Sequence, residues 1–364
     1  MRFYTIFPLC ENIHLTKDVG MIPYILNKEH DVDSYIVSYK NGEYPYLDKE
    51  VKGLKQVFLK KITGKKSLDI LFFIILNYRK IDVLQLYHFS YITIILLNIF
   101  KKLNFYRKTK VYLKLDADYR ILNFNFNSVT SKILKILTSD IDIVSIETTR
   151  LYKEKNINNY FKNLVYLPNG FYNDKIEISQ KQKQILTVGR IGAHQKNTEL
   201  LLEAYTKSFE KLNGYELIII GPLEDKFQKY IDEFLQKNKY VKNRIKTLGL
   251  ISNRELLNDY YHNSNIFTLT SRYESFGLVY LEAIQAGCRI VSSDIAPAYD
   301  IVKNDKIGYL FENDNIQDLS EKLIKICNEE IDLKTNKYIQ EFAYKNFYWP
   351  DIIDHLYKKL NFTI

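Results

Sequence analysis

The stretch Ser271-Arg272-Tyr273-Glu274-Ser275-Phe276-Gly277-Leu278-Val279-Tyr280-Leu281-Glu282-Ala283 decides how the rest of the chain reads. It follows the apolar run 266–269, a predicted strand, and Ser275-Phe276-Gly277 opens a predicted helix over 278–286 that Gly287 closes, since glycine suits the left-handed position after a helix end. A loop entering a helix N-terminus at the C-terminal end of a strand is a natural anion site, because the first N–H groups are unpaired and the helix dipole is positive there. Gly277 permits close approach of a ligand to the backbone. Glu274 stands before the helix and Glu282 two turns into it, among Leu281, Ala283 and Ile284. A carboxylate in such company needs a partner, and sugar and ribose hydroxyls are suitable donors. Two glutamates with seven residues between them carry no information alone; the Ser-Phe-Gly among those seven and the strand–loop–helix setting supply it.

Outward from this segment the same alternation repeats. In the second half, strands are predicted over 185–188, 216–220, 245–248, 266–269, 289–292 and 308–311, and helices over 198–212, 225–238, 253–261, 278–286 and 316–329. In the first half, strands are predicted over 3–9, 34–39, 83–89, 110–115, 141–146 and 164–167, with helices including 22–28, 68–78 and 92–102. Near-continuous apolar strands separated by helices indicate parallel sheets covered on both faces. The fold class is therefore α/β, two Rossmann-like domains whose strand ends face a central cleft. Pro168-Asn169-Gly170 ends the first block, and the polar stretch 173–184 reads as a linker. Residues 1–172 form the first domain and 173–345 the second, with an amphipathic helix over 346–364, carrying Trp349, Ile352, Ile353 and Leu356, packing back on the first.

A second segment points to the same chemistry. Thr187-Val188-Gly189-Arg190 ends a strand, and Lys196-Asn197 precede a helix. An Arg fork and a Lys point charge on one side of a sheet can neutralise a diphosphate. His194, between them, reads as a polar loop residue.

With both segments in view, the chain resembles the retaining glycosyltransferases known as family 4, which have the GT-B fold and a donor signature of this Glu-x7-Glu form. The resemblance implies that Glu274 contacts donor-sugar hydroxyls and Glu282 the ribose, that the backbone of Ser275, Phe276, Gly277 and Leu278 holds sugar and phosphates, and that Gly189, Arg190 and Lys196 clamp the diphosphate. Gly221 corresponds to the family's glycine turn after 216–220, Leu250 lies where the base is wrapped, and Gly20, in Asp18-Val19-Gly20-Met21, stands where the family usually has paired glycines near the phosphates. On the acceptor side His88 and Asp116 end predicted strands and are the candidate catalytic groups, although Lys114-Leu115-Asp116-Ala117-Asp118 lacks the histidine that family members often carry there. The implied co-substrate is a nucleotide sugar, a UDP-sugar first among them, and no cofactor is implied; base, sugar, acceptor and linkage stay open. The implied reaction is metal-independent transfer to a glycan or lipid-linked acceptor in bacterial cell-surface polysaccharide or glycoconjugate synthesis. The alternatives are a GT-B nucleotide-sugar epimerase and a non-catalytic GT-B partner of another transferase.

Asp116-Ala117-Asp118 also has the form of a divalent-cation site in the other transferase fold, GT-A. The phosphate-binding constellation lies in the second half, so no metal is expected. Zinc spacings, a Ser/His/Asp triad and a Gly-x-Gly-x-x-Gly after the first strand are all missing from the sequence.

Charge separates the halves. The net +9 arises entirely in residues 1–170, which hold 26 Lys+Arg against 16 Asp+Glu, while the remainder has 26 against 27. Lys60, Lys61, Lys65 and Lys66 flank the apolar run 68–76, and Lys101, Lys102, Arg107, Lys108 and Lys110 follow the apolar run 92–100. Cations beside short apolar surface suit an interfacial anchor, so an anionic membrane surface is an expected partner and nucleic acid is not. The N-terminus reads as a strand rather than a signal peptide, and Cys10, Cys288 and Cys327 form no framework, so the expected location is the cytoplasm, with peripheral attachment to the inner face of the membrane.

Overall fold

The computed structural model describes residues 1–126 and 128–360. They divide into two compact units, Met1–Tyr172 with Tyr348–Ile364, and Asn173–Phe347. The first unit carries β1 (Arg2–Ile6), β2 (Asp33–Ser38), β3 (Lys55–Phe58), β4 (Val83–Tyr87), β5 (Lys110–Lys114), β6 (Ile143–Ile146) and β7 (Leu164–Tyr166). They form one parallel sheet in the order β3-β2-β1-β4-β5-β6-β7. The second unit carries β8 (Gln182–Val188), β9 (Glu216–Ile220), β10 (Ile245–Thr247), β11 (Ser264–Leu269), β12 (Arg289–Ser293) and β13 (Gly308–Phe311), a parallel sheet in the order β10-β9-β8-β11-β12-β13. The inner strands are buried along nearly their whole length, which explains their unbroken apolar sequences, except β8, whose first residues Gln182, Lys183 and Gln184 stand outside the core and of which only residues 185–187 are buried.

Each unit has its own core. Phe3, Ile22, Ile25, Ile36 and Val83 build the first, joined by Trp349, Ile353 and Leu356. Ile185, Leu201, Tyr205, Leu217, Phe267, Phe311 and Leu323 are buried in the second. The helix Trp349–Leu360 completes the first unit: Trp349 is 1% exposed, its amide bonds the Phe171 carbonyl at 3.0 Å, and Lys110 Nζ reaches the Lys359 carbonyl at 2.6 Å.

Several sequence expectations need correction. Edge strand β3 has a partly exposed Lys-Gln-Val-Phe sequence and lacks the apolar run that marks the others. The helices Val129–Thr138 and Leu333–Phe347 were not anticipated. The stretch 173–184 is no free linker: Ile178 is 4% exposed, and Lys181 Nζ donates to the carbonyls of Tyr261, His262 and Ser264 at 2.8 to 3.1 Å, so it is packed into the second unit. The helix predicted over 22–28 runs Asp18–His30 and includes Gly20. A Cβ at Gly20 would lie 2.1 Å from the Leu15 carbonyl oxygen, so packing on the preceding turn by itself requires glycine there.

Candidate functional site

In the second sheet β8 and β11 are neighbours, with β9 and β10 on one side and β12 and β13 on the other. The connections diverge at that point, which is where open α/β sheets bind ligands, beyond the C-terminal strand ends. After β8 come Gly189 and Arg190; after β9, Gly221; after β11, the loop to the helix Leu278–Gln285. Gly221 has φ of 140°, and a Cβ there would sit 1.7 Å from the Gly189 carbonyl oxygen, so only glycine lets the two turns meet.

The loop 190–197 is bonded to the loop after β11. Arg272 N donates to the Gln195 carbonyl at 2.8 Å, and Thr270 Oγ1 to those of Lys196 and Asn197 at 2.9 and 3.0 Å. The Arg272 guanidinium takes the His194 carbonyl at 2.5 Å, while the His194 side chain is exposed. These bonds deliver Lys196 to Glu274. The Glu274 carboxylate accepts from Lys196 Nζ at 2.5 Å, Ser271 Oγ at 2.7 Å and Gln195 Nε2 at 3.2 Å. Gln195 Oε1 in turn accepts from Arg190 at 2.9 Å, and Arg190 makes no ion pair among the described residues.

Next to Glu274, Gly277 adopts φ of 82° as the N-cap of Leu278–Gln285, and no side chain caps that helix. The N–H groups of Leu278 and Val279 are therefore open for an anion, while that of Tyr280 already bonds the Gly277 carbonyl at 3.0 Å. Ser275 is half-buried, whereas Phe276 is 1% exposed with its ring 6.0 Å from Phe347, so at Phe276 only the backbone can serve a ligand. Glu282 has both oxygens engaged, one by the Tyr261 hydroxyl and one by Arg254, each at 2.8 Å. Burial and the neighbouring Glu282 push the Tyr261 phenol well above its usual range, so it acts as a donor. A cavity of about 160 Å³ adjoins this group, lined also by Asn173, Asn258 and Gln285. Leu250 lies in the loop after β10 and is 70% exposed. Sequence reasoning missed Ser271, Gln195, Tyr261 and Arg254; only Ser271 lay inside the segment that marks the site.

In the first unit His88 and Asp116 follow the adjacent strands β4 and β5. Both have left-handed backbones, φ of 65° and 42°, and His88 Nδ1 lies 3.9 Å from Asp116 Oδ2. Two non-glycine residues in this region at neighbouring strand ends store strain of the kind that collects at functional sites. A buried network supports them. Lys114, 0% exposed, donates to Glu147 at 2.7 Å and Asn169 at 3.1 Å and lies 3.7 Å from Asp18. Glu147 also accepts from the amides of Asp116 and Ala117 at 3.1 and 3.2 Å, which fixes that turn. Burial opposes the Lys114 charge, but Glu147 and Asp18 outweigh it and hold the ammonium above the ordinary lysine range. Asp18 is left the poorer partner: its Oδ2 makes no hydrogen bond, and burial pushes its carboxyl up, only partly offset by Lys114. Asp118 is held by Arg120 through Nε at 2.8 Å and NH2 at 2.5 Å, so both its oxygens are already bonded.

Of the five cations expected to face an anionic surface after residue 100, three have structural partners. Lys101 bonds Asp140 and Asp142, Arg107 bonds Asp82 and Arg79, and Lys110 bonds Lys359. Lys102 and Lys108 are exposed, as are Lys60, Lys61, Lys65 and Lys66. Among the described residues no helix is long and apolar enough to cross a membrane.

This geometry agrees with comparisons to known proteins. Residues 168–346 match the family described as glycosyl transferases group 1. The fold of the whole chain is GT-B: the Anabaena protein HepE, solved with UDP and glucose, superposes with a TM-score of 0.71 at 15% identity over 99% of both chains. The alpha-monoglucosyldiacylglycerol synthase of Acholeplasma laidlawii is 31% identical over 201 residues, 52% of this chain and 48% of that protein. The capsular polysaccharide biosynthesis glycosyltransferase CapM of Staphylococcus aureus is 27% identical over 171 residues, 44% of this chain and 42% of that protein. The chain spans between a third and a half of the length of the curated relatives it matches first.

Proposed function

We propose that the chain is a glycosyltransferase that moves a sugar from a nucleotide-sugar donor, a UDP-sugar, to a glycan or lipid-linked acceptor with retention of configuration, in the synthesis of cell-surface polysaccharide or glycoconjugate. The observation that carries this reading is the Glu274 carboxylate, fixed by Lys196, Ser271 and Gln195 at the mouth of the uncapped helix Leu278–Gln285, with Arg190 free of any acidic partner among the described residues. The match of residues 168–346 to glycosyl transferases group 1, the UDP-bound HepE fold and the lipid and polysaccharide names of the relatives support it.

In this reading the diphosphate lies against Arg190, Lys196 and the first amides of Leu278–Gln285. Glu274 accepts hydrogen bonds from hydroxyls of the sugar, and Glu282 from those of the ribose. The acceptor hydroxyl attacks the anomeric carbon on the face from which the diphosphate departs. The carbon–phosphate-oxygen bond breaks, the new glycosidic bond forms, and the hydroxyl proton passes to the departing diphosphate. The protein contributes orientation and stabilisation of leaving-group charge. His88 and Asp116 orient the acceptor. Exposed cations and apolar side chains of the first unit hold the enzyme on an anionic membrane face.

A panel of nucleotide sugars read by thermal shift, followed by product analysis, tests the proposal. UDP-sugars should stabilise the protein most, and turnover should survive EDTA, because Arg190, Lys196 and the helix amides neutralise the diphosphate. Release of free sugar without a glycosylated product would favour an epimerase, and complete loss with EDTA restored by Mn²⁺ would overturn the mechanism.

A further inference from the structure

At the C-terminal ends of β1 and β4 the first unit contains an open cavity of about 480 Å³. Its wall is mainly apolar: Ile6, Leu86, Ile70 and Leu96 form the floor, and Ile92 and Leu9 the mouth. Floor and mouth differ in exposure, Leu96 at 5% and Ile92 at 53%. The polar groups are few, chiefly Lys66, Ser67, Thr93 and His88. His88 is the residue paired with Asp116, so the cavity abuts the acceptor-side candidates. Lys66 is exposed and has no carboxylate partner among the described residues. The two helices beside the cavity, Lys66–Asn77 and Tyr91–Leu103, also bear apolar side chains outside it. Phe72, Ile75 and Leu76 on the first and Tyr91 and Ile95 on the second are all more than two-fifths exposed.

We propose that this cavity binds the apolar chain of an anionic amphiphile, whose charged group lies at Lys66 and whose sugar-accepting hydroxyl lies at His88. The inference rests on the proposed transferase reading and narrows its acceptor from glycans in general to a molecule with a hydrocarbon portion next to an anionic linkage. A cavity of this size is in the range that encloses a small ligand, and its lining suits a hydrocarbon while a free glycan would leave its hydroxyls unpaired there. Each methylene withdrawn from water contributes in proportion to area, so a chain is held without many polar contacts. The unpartnered Lys66 supplies the charge complementarity, and the exposed apolar faces of the same two helices suit delivery from a lipid surface.

The test uses the full-length protein and n-decyl phosphate below its micelle concentration, with inorganic phosphate and an uncharged decyl glucoside as comparison probes. Calorimetry should show decyl phosphate binding and no binding of inorganic phosphate at the same concentration. Leu96→Trp, which fills the floor, should weaken decyl phosphate at least about tenfold, as the loss of a few buried methylenes implies. Ile92→Glu, at an exposed position where the fold tolerates change, should weaken it as well and so covers the case in which Leu96→Trp fails to fold. Lys66→Gln should weaken decyl phosphate about fivefold and leave decyl glucoside unchanged, as expected for one cation beside an anionic group. UDP affinity is measured on the same samples. UDP binding with no decyl phosphate binding, or with equal binding by wild type, Leu96→Trp and Ile92→Glu, overturns the cavity while leaving the donor reading intact. Decyl phosphate binding without UDP binding overturns the donor reading instead.

Discussion

The two units share one architecture and place their strand-end charges differently. In the second, Glu274 and Lys196 have side chains 10% and 15% exposed, bonded to each other yet within reach of a ligand. In the first, Glu147 and Lys114 form the corresponding close pair at 0% exposure each, and their remaining bonds go to Asn169 and to the backbone of Asp116 and Ala117. A pair that water still touches can exchange its partner for a diphosphate at modest cost. A pair sealed in the interior cannot, because each ion has already lost its hydration and depends on the other. The same combination of residues thus makes the proposed donor site in one unit and a rigid support for a strained turn in the other.

The largest expected effect comes from breaking the sealed pair. Lys114→Met leaves Glu147 buried without its cation and should cost about 3–5 kcal/mol. Hydrogen exchange should report the loss in β4 and β5 while β8 and β11 keep their protection, and UDP affinity should stay at the wild-type value. Equal loss of protection in both sheets would break the contrast.

Arg190→Ala, in the accessible group, should leave the fold intact and slow transfer on the order of 100-fold, as removal of one charge-stabilising donor does. Lys196→Ala should weaken nucleotide binding and slow transfer too, and it also frees Glu274. Unchanged kinetics in both variants would remove the pair from the donor site.

A smaller, pH-dependent effect sharpens the comparison within the first unit. Asp18 has its folded pKa raised, chiefly by burial, so the folded state holds its proton more tightly than the unfolded state. Its contribution therefore favours folding at low pH and is lost as pH rises from the ordinary aspartate range through the raised value. Asp18→Asn removes this titration and should gain stability relative to wild type between pH 4 and pH 8 in urea unfolding followed at β1 and β4. A difference that is flat or falls with pH would mean that Lys114 keeps Asp18 ionised across this range.

The least effect is expected at the surface. Lys60, Lys65, Lys102 and Lys108 changed to Glu should reduce sedimentation with anionic vesicles, and wild-type binding should fall as salt rises. The fold should be unaffected, whereas reversing Lys101, Arg107 or Lys110 would break bonds to Asp142, Asp82 and Lys359. Equal sedimentation with neutral vesicles would detach the charge asymmetry from lipid.

The sequence marked what is encoded locally. Strands 216–220 and 308–311 have the observed bounds because an unbroken apolar run meets a turn at each end, and Glu274, Gly277 and Glu282 fall within one strand–loop–helix segment. What it hid depends on pairing across distance. Lys114 and Glu147 are 33 residues apart and meet only because β5 and β6 are neighbours. The packing demand at Gly20 was hidden because its contact with Leu15 arises from the path of the turn before the helix. The stretch 173–184 looked like a tether because its composition is polar, yet Lys181 finds three carbonyls that its own sequence does not announce.

The seating of Trp349 beneath the first unit has a consequence for biosynthesis. The chain leaves that unit after Tyr172, builds all of Asn173–Phe347, and only then returns to supply Trp349, Ile353 and Leu356 to the earlier core. Domains commonly fold in the order in which the ribosome releases them. Here the order is inverted: the unit synthesised first waits with an uncovered apolar face on the helix Asp18–His30 while the second unit can fold to completion. At roughly 5–20 residues per second, that exposure lasts on the order of ten to forty seconds, an interval in which a chaperone or a lipid surface can occupy the place that Trp349 later takes.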